Sequence, residues 1–175
     1  MERRKRTLRL FSLLLAMSSL LVASGVSASQ PSYEPAYVNG STDTVPFKGT
    51  LQGQDTHPPG LTLFTSATGT GTHLGQFSFT QEVTINPVAL TSSGSGHWIA
   101  ANGDSIDTTV AGSAVPGPVV FTITEIHTIT GGTGRFTGAQ GSFTVHRTHV
   151  VAPSDDGTHV TFGWFEGAIT SPGEE

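Results

Sequence analysis

The chain has 175 residues, including 22 glycines and ten prolines, no cysteine, and a formal net charge of −5. This length suits one domain that buries about two-thirds of its unfolded surface, and without a disulfide its core and strand ladders must supply all the stability. Five of the eight basic residues lie within residues 1–28, against one of the thirteen acidic ones, so the remainder carries −9. Such a surface repels phosphate backbones and anionic lipids, which argues against nucleic-acid binding and peripheral membrane attachment.

Residues 1–28 read as a signal peptide. Arg3, Arg4, Lys5 and Arg6 precede a leucine-rich apolar stretch ending in Val26-Ser27-Ala28, a small-x-small cleavage pattern. Export would leave a secreted or extracytoplasmic protein starting at Ser29, without membrane attachment. Residues 29–44 mix Pro, Ser, Tyr and Gly without periodicity and read as a flexible leader. A β-domain is expected over 45–170 and a solvated tail over 171–175.

Within the domain, apolar residues never recur at helical spacing. Runs rich in Thr, Val, Ile and Phe lie near 45–53, 61–69, 73–86, 96–101, 105–113, 119–130, 139–150 and 159–170, bounded by Gly, Pro and Asn. Asn102-Gly103 predicts a hairpin turn of type I′, with both residues at positive φ. Gly131-Gly132-Thr133-Gly134 and Asp155-Asp156-Gly157 mark two further reversals. Consecutive strands with short links predict an all-β, eight-stranded antiparallel up-and-down barrel, closed so that no edge is exposed.

Alternation assigns the inward faces. Over 119–130 the more apolar face carries Phe121, Ile123 and Ile129 together with Glu125 and His127. Over 73–86 it carries Phe77, Phe79, Val83 and Ile85 with His73 and Gln81. Over 139–150 it carries Phe143, Val145, Arg147 and His149. Over 159–170 the same test selects Val160, Phe162, Trp164 and Glu166. A fold about Arg135 opposes His127 to Phe143 and Ile123 to Arg147, leaving Arg147 diagonal to Glu125. A fold about Asp155 opposes Val145 to Trp164. A carboxylate held mid-strand among isoleucines needs a partner such as Arg147 or a histidine. Burial should raise the Glu125 pKa while Arg147 lowers it.

The stretch from Thr130 through Gly131-Gly132-Thr133-Gly134-Arg135-Phe136 to Ala139, Gly141 and Phe143 resembles the glycine-rich turn-and-strand of the allene oxide cyclase and dirigent barrel superfamily. Gly71-Thr72-His73-Leu74-Gly75 and Asn102-Gly103-Asp104 support the resemblance, which is strongest to small secreted bacterial proteins with such a domain. It implies an eight-stranded barrel, often a homotrimer, and does not by itself imply the family's reactions. In physical terms the glycines permit the reversal, and Phe136 can fold over an open end of the barrel.

The leading expectation is a barrel that binds a small apolar or amphipathic molecule, lined by Phe77, Phe79, Phe121, Phe143, Phe162 and Trp164 and oriented by His149 and Glu166. The alternative is a cyclase or isomerase acting on an unsaturated or polyketide-like substrate. In it Glu125 transfers a proton and His127 or Arg147 tunes it. A metal set of Glu125, His127 and His149 is conceivable from their shared faces. No zinc-ligand spacing supports it, however, and no metal or cofactor is expected.

Overall fold

The computed structural model describes residues 43–170 and 172–173. The signal peptide and nearly all of the leader fall outside the described residues. Eight strands follow in chain order: β1 (Thr44–Thr56), β2 (Thr62–Gly71), β3 (Gly75–Asn86), β4 (Thr91–Ala100), β5 (Ser105–Pro116), β6 (Val120–Gly132), β7 (Gly141–Val150) and β8 (His159–Thr170). Each pairs antiparallel with the next, and β1 closes on β8, so the expected up-and-down barrel is the fold observed. Among the described residues the sole helical element is a 3-10 turn, Gly134–Phe136, and no helix is long and apolar enough to cross a membrane.

The interior has two unlike halves. One end, where the β2–β3, β4–β5 and β6–β7 links lie, is filled by Phe47, Phe77, Phe79, Trp98, Phe143 and Phe165, all buried in one cluster. Phe136 on the 3-10 turn is fully buried in that cluster and plugs this end. The other end holds only a small group of Leu63, Val83 and Val110, with Ile85 partly buried against it.

Aromatic filling of a narrow barrel requires gaps on the facing strands, and glycines provide them. A Cβ on Gly69 would lie 2.6 Å from the Phe77 ring, and one on Gly49 2.7 Å from that of Phe165. A Cβ on Gly167 would meet Phe143 in the same way, at 2.6 Å from its Cβ.

Two local expectations need correction. The Asn102-Gly103 hairpin is not type I′: Gly103 alone of the two has positive φ, at 92°, and its N–H donates to the Ala100 carbonyl at 2.9 Å. This is a three-residue loop ending in a left-handed glycine, the next commonest hairpin solution. His73 belongs to the β2–β3 turn with φ 62°, not to the inward face of β3. Beyond β8, Gly173 is exposed, and its N–H donates to the Arg135 carbonyl at 2.9 Å.

The β6–β7 register matches the expectation, with His127 opposite Phe143 and Ile123 opposite Arg147. The β7–β8 register is one residue off: Val145 faces Phe165, not Trp164. A slip of one residue turns a whole strand over. Phe162, Trp164 and Glu166 therefore point outward, with Phe162 47% and Trp164 44% exposed, and they line no lumen. The inward face of β8 is Thr161, Gly163, Phe165, Gly167 and Ile169. It looks less apolar because Gly163 and Gly167 stand opposite the bulky Arg147 and Phe143.

Candidate functional site

Between the two halves lies a buried polar layer centred on Arg147 of β7. Its Nε donates to Glu125 Oε2 at 2.8 Å and one terminal nitrogen to Glu125 Oε1 at 2.9 Å, a two-point clamp. The other terminal nitrogen donates to Asp55 Oδ1 at 3.0 Å, Asp55 Oδ2 at 3.2 Å and Thr161 Oγ1 at 3.0 Å. Gln81 donates to Glu125 Oε1 at 2.7 Å, and Thr65 donates to Asp55 Oδ1 at 2.7 Å. Six strands thus supply one network, and Arg147, Glu125 and Asp55 are all essentially inaccessible to solvent.

The electrostatics follow from this geometry. Burial works to raise the Glu125 pKa, but the Arg147 guanidinium, His127 and the Gln81 amide outweigh it and hold the carboxyl below its ordinary range. Burial likewise opposes ionisation of Asp55, and the bonds from His149, Arg147 and Thr65 reverse it, so its pKa is lowered. Arg147 loses from burial and gains more from the two carboxylates, so its pKa is raised. Two carboxylates against one guanidinium leave the layer with one excess negative charge.

His127 sits on the closed-end side of this layer. Its ring stacks on Phe143 at 5.2 Å and meets Phe79 and Trp98 edge-on. Nδ1 lies 3.0 Å from Thr108 Oγ1, which itself donates to the Gly96 carbonyl at 3.2 Å. That chain requires Nδ1 to carry the hydrogen, leaving Nε2 as a lone pair without a partner. Burial lowers the pKa of His127 to about 4, with Glu125 pulling up and Arg147 down.

On the open-end side is a cavity of about 300 Å³. Leu63, Ile85, Leu90, Ala114, Phe121 and Ile123 wall it, and Glu125 and His149 reach it from the floor and rim. Leu90 adopts φ 54° on the β3–β4 link, a left-handed conformation that costs a branched residue energy and often marks a binding rim. Larger hollows lie along the wall of the barrel, one across β1–β4 and β8 and another across β2–β6.

Of the residues expected to line a ligand site, Phe121 and His149 reach this cavity. Phe77, Phe79 and Phe143 lie in the packed end, and Phe162, Trp164 and Glu166 lie outside. The three expected catalytic residues are all inward, with Glu125 and Arg147 in contact and His127 in its own aromatic cage. Glu125, His127 and His149 do not share a ligand point, because Arg147 occupies Glu125 and Thr108 holds His127.

Sequence reasoning missed Asp55, Thr65 and Thr161, which complete the polar layer, and the pairing of His57 with His159 at the rim. Asp55 was findable: it continues the odd-numbered inward series Phe47, Leu51 of β1, two residues past the expected strand end. His149 Nδ1 donates to Asp55 Oδ2 at 2.7 Å, and the ring packs 4.9 Å from His159. His57 meets both edge-on, at 5.5 and 5.2 Å. Burial, with His149 and His159 beside it, lowers the pKa of His57.

The chain thus forms a closed eight-stranded barrel with one plugged end, a buried charged layer and an open-end pocket. No protein-family model and no curated protein matches the chain. Among solved structures the chain is similar to the pterocarpan synthase dirigent protein GePTS1, with a TM-score of 0.52 and 11% identity over 83% of this chain and 99% of that one. At that identity the likeness is one of fold.

Proposed function

We propose that this protein is a secreted barrel that binds one small, largely apolar molecule carrying a hydrogen-bond donor in its open-end cavity. The observation that carries this reading is the 300 Å³ cavity itself, apolar in its walls and ending on Glu125. Its volume is at the lower end of the roughly 300–1,000 Å³ usual for ligand pockets. Glu125 Oε2 has one hydrogen-bond partner, Arg147 Nε. A carboxylate oxygen accepts two, so a ligand hydroxyl or amine that displaces the packing over this 1%-exposed side chain completes it. The excess negative charge of the polar layer disfavours an anionic ligand at the same place.

A neutral probe and its charged analogue test this. With a chelator present, N-phenyl-1-naphthylamine should bind at one per barrel with enhanced fluorescence, and 1-anilinonaphthalene-8-sulfonate at least about tenfold more weakly, equivalent to roughly 1.4 kcal/mol. Ala114→Trp, which fills the cavity, should abolish the signal. Phe162→Ser, on the outer face, should leave it unchanged. Loss of binding in the outer variant but not in the cavity variant would refute a luminal site.

The alternative, a cyclase or isomerase, draws support from the Asp55–His149 pair and from the likeness of fold to a pterocarpan synthase dirigent protein. In this reading the proton-moving group is His149, whose Nε2 is free of the Asp55 bond. Glu125, ionised and clamped, instead stabilises developing positive charge.

A further inference from the structure

The structure assigns a divalent transition-metal site to His57, His149 and His159 at the open end of the barrel. Each offers one ring nitrogen, and the three nitrogens lie within 4.8 Å of one another. The residues come from three places that only the closed barrel brings together: the link after β1, the end of β7 and the start of β8.

Two of the rings already have Nδ1 engaged, which leaves Nε2 as the nitrogen available to a metal. His149 donates Nδ1–H to Asp55 Oδ2 at 2.7 Å, and His159 donates Nδ1–H to the Val150 carbonyl at 3.0 Å. A carboxylate or backbone carbonyl on the far nitrogen is the arrangement that fixes the tautomer of a metal-bound histidine and turns Nε2 toward the ion. The polar layer behind His149 carries an excess negative charge, so a cation is also electrostatically complementary there. Neutral imidazoles select zinc, copper or nickel over magnesium or calcium.

Tetrahedral zinc, at about 2.0–2.1 Å from each nitrogen, requires them about 3.3 Å apart. His57 is the exposed member of the three and sits on a link outside the sheet ladder, so it supplies most of the closure. His57 and His149 also line the cavity. A position not taken by histidine would therefore face the cavity mouth, where water or a donor atom of a bound molecule completes the shell. The three histidine ligands do not depend on what the cavity holds.

Tag-free protein, stripped with a chelator and desalted, should bind one Zn²⁺ per chain by calorimetry. Co²⁺ should give the visible absorption of a four-coordinate site. Losing an orienting partner typically costs a metal site about 10–100-fold, and losing a ligand should cost at least as much, so His57→Ala and His159→Ala should each weaken Zn²⁺ binding by that factor or more. His146→Ala, on the outer face against Trp164, should not. On the unmodified protein, Zn²⁺ should protect His57 and His159, but not His97 or His146, from diethyl pyrocarbonate. Absence of stoichiometric binding, binding that survives in the His57→Ala, His159→Ala double variant, or protection at other histidines would overturn the assignment.

Discussion

Replacing Arg147 with methionine should destabilise the barrel by about 3–5 kcal/mol, the usual cost of removing one partner from a buried ion network. Methionine matches much of the volume, so the loss reports charge and not a cavity. Without the guanidinium, Glu125 and Asp55 become two buried carboxylates whose remaining donors are Gln81, Thr65 and His149. They must take up protons or admit water, and the pKa lowering that Arg147 imposes on both disappears. Glu125→Gln is milder, because Asp55 still neutralises Arg147 and the layer loses its excess charge. Adding Glu125→Gln and Asp55→Asn to Arg147→Met should recover part of the loss, since neighbours in one network are not additive. Urea unfolding of the four proteins measures this. An Arg147→Met variant within about 1 kcal/mol of the parent would show that the layer is hydrated and unimportant to stability.

The inward faces of β3, β6 and β7 were legible because each is more apolar than the opposite face of its strand, so Glu125, His127 and Arg147 could be placed by parity alone. β8 was misread for a physical reason. Its inward positions include Gly163 and Gly167, which make room for Arg147 and Phe143, while Phe162 and Trp164 cover the outside. Apolar content then points the wrong way, and the link over 151–158 gives no independent register. Where the barrel fills and where it stays open was also beyond reach. That depends on which strands place glycine opposite aromatics, a property of cross-strand register and not of any one strand. His57 sits in a Pro-flanked link where alternation has no meaning, so the histidine trio emerges only from closure of β1 onto β8.

Stability should fall steadily as pH drops from about 6.5 towards 4, at a slope near 1.4 kcal/mol per pH unit, the value for one proton. His127 is the main cause. Its pKa in the fold is about 4, against 6.5 for the free side chain. Between those values the unfolded chain holds a proton that the folded one rejects, so acid favours unfolding. The groups facing His127 decide its sign: burial among Phe79, Trp98 and Phe143 and the charge of Arg147 disfavour the imidazolium, while Glu125 favours it and does not prevail. His57, also lowered, adds a shallower contribution at the rim. Below about pH 4 the slope should persist for a different reason. Asp55 and Glu125 have folded pKa values below their ordinary ones, so the stability they confer is complete above that range and is lost as pH falls through the folded values. His127→Phe separates the two regimes. Phenylalanine keeps the stack on Phe143 and gives up one hydrogen bond to Thr108, whose hydroxyl still reaches the Gly96 carbonyl. At pH 7.5 the variant should therefore lie within about 1.5 kcal/mol of the parent. Between pH 6.5 and 4 its urea midpoint should be nearly flat, with the acid limb below 4 retained. A parent whose midpoint is constant from pH 7 to 5, or a variant that keeps the parent's slope, would show that His127 is charged in the fold and that its aromatic cage is wet.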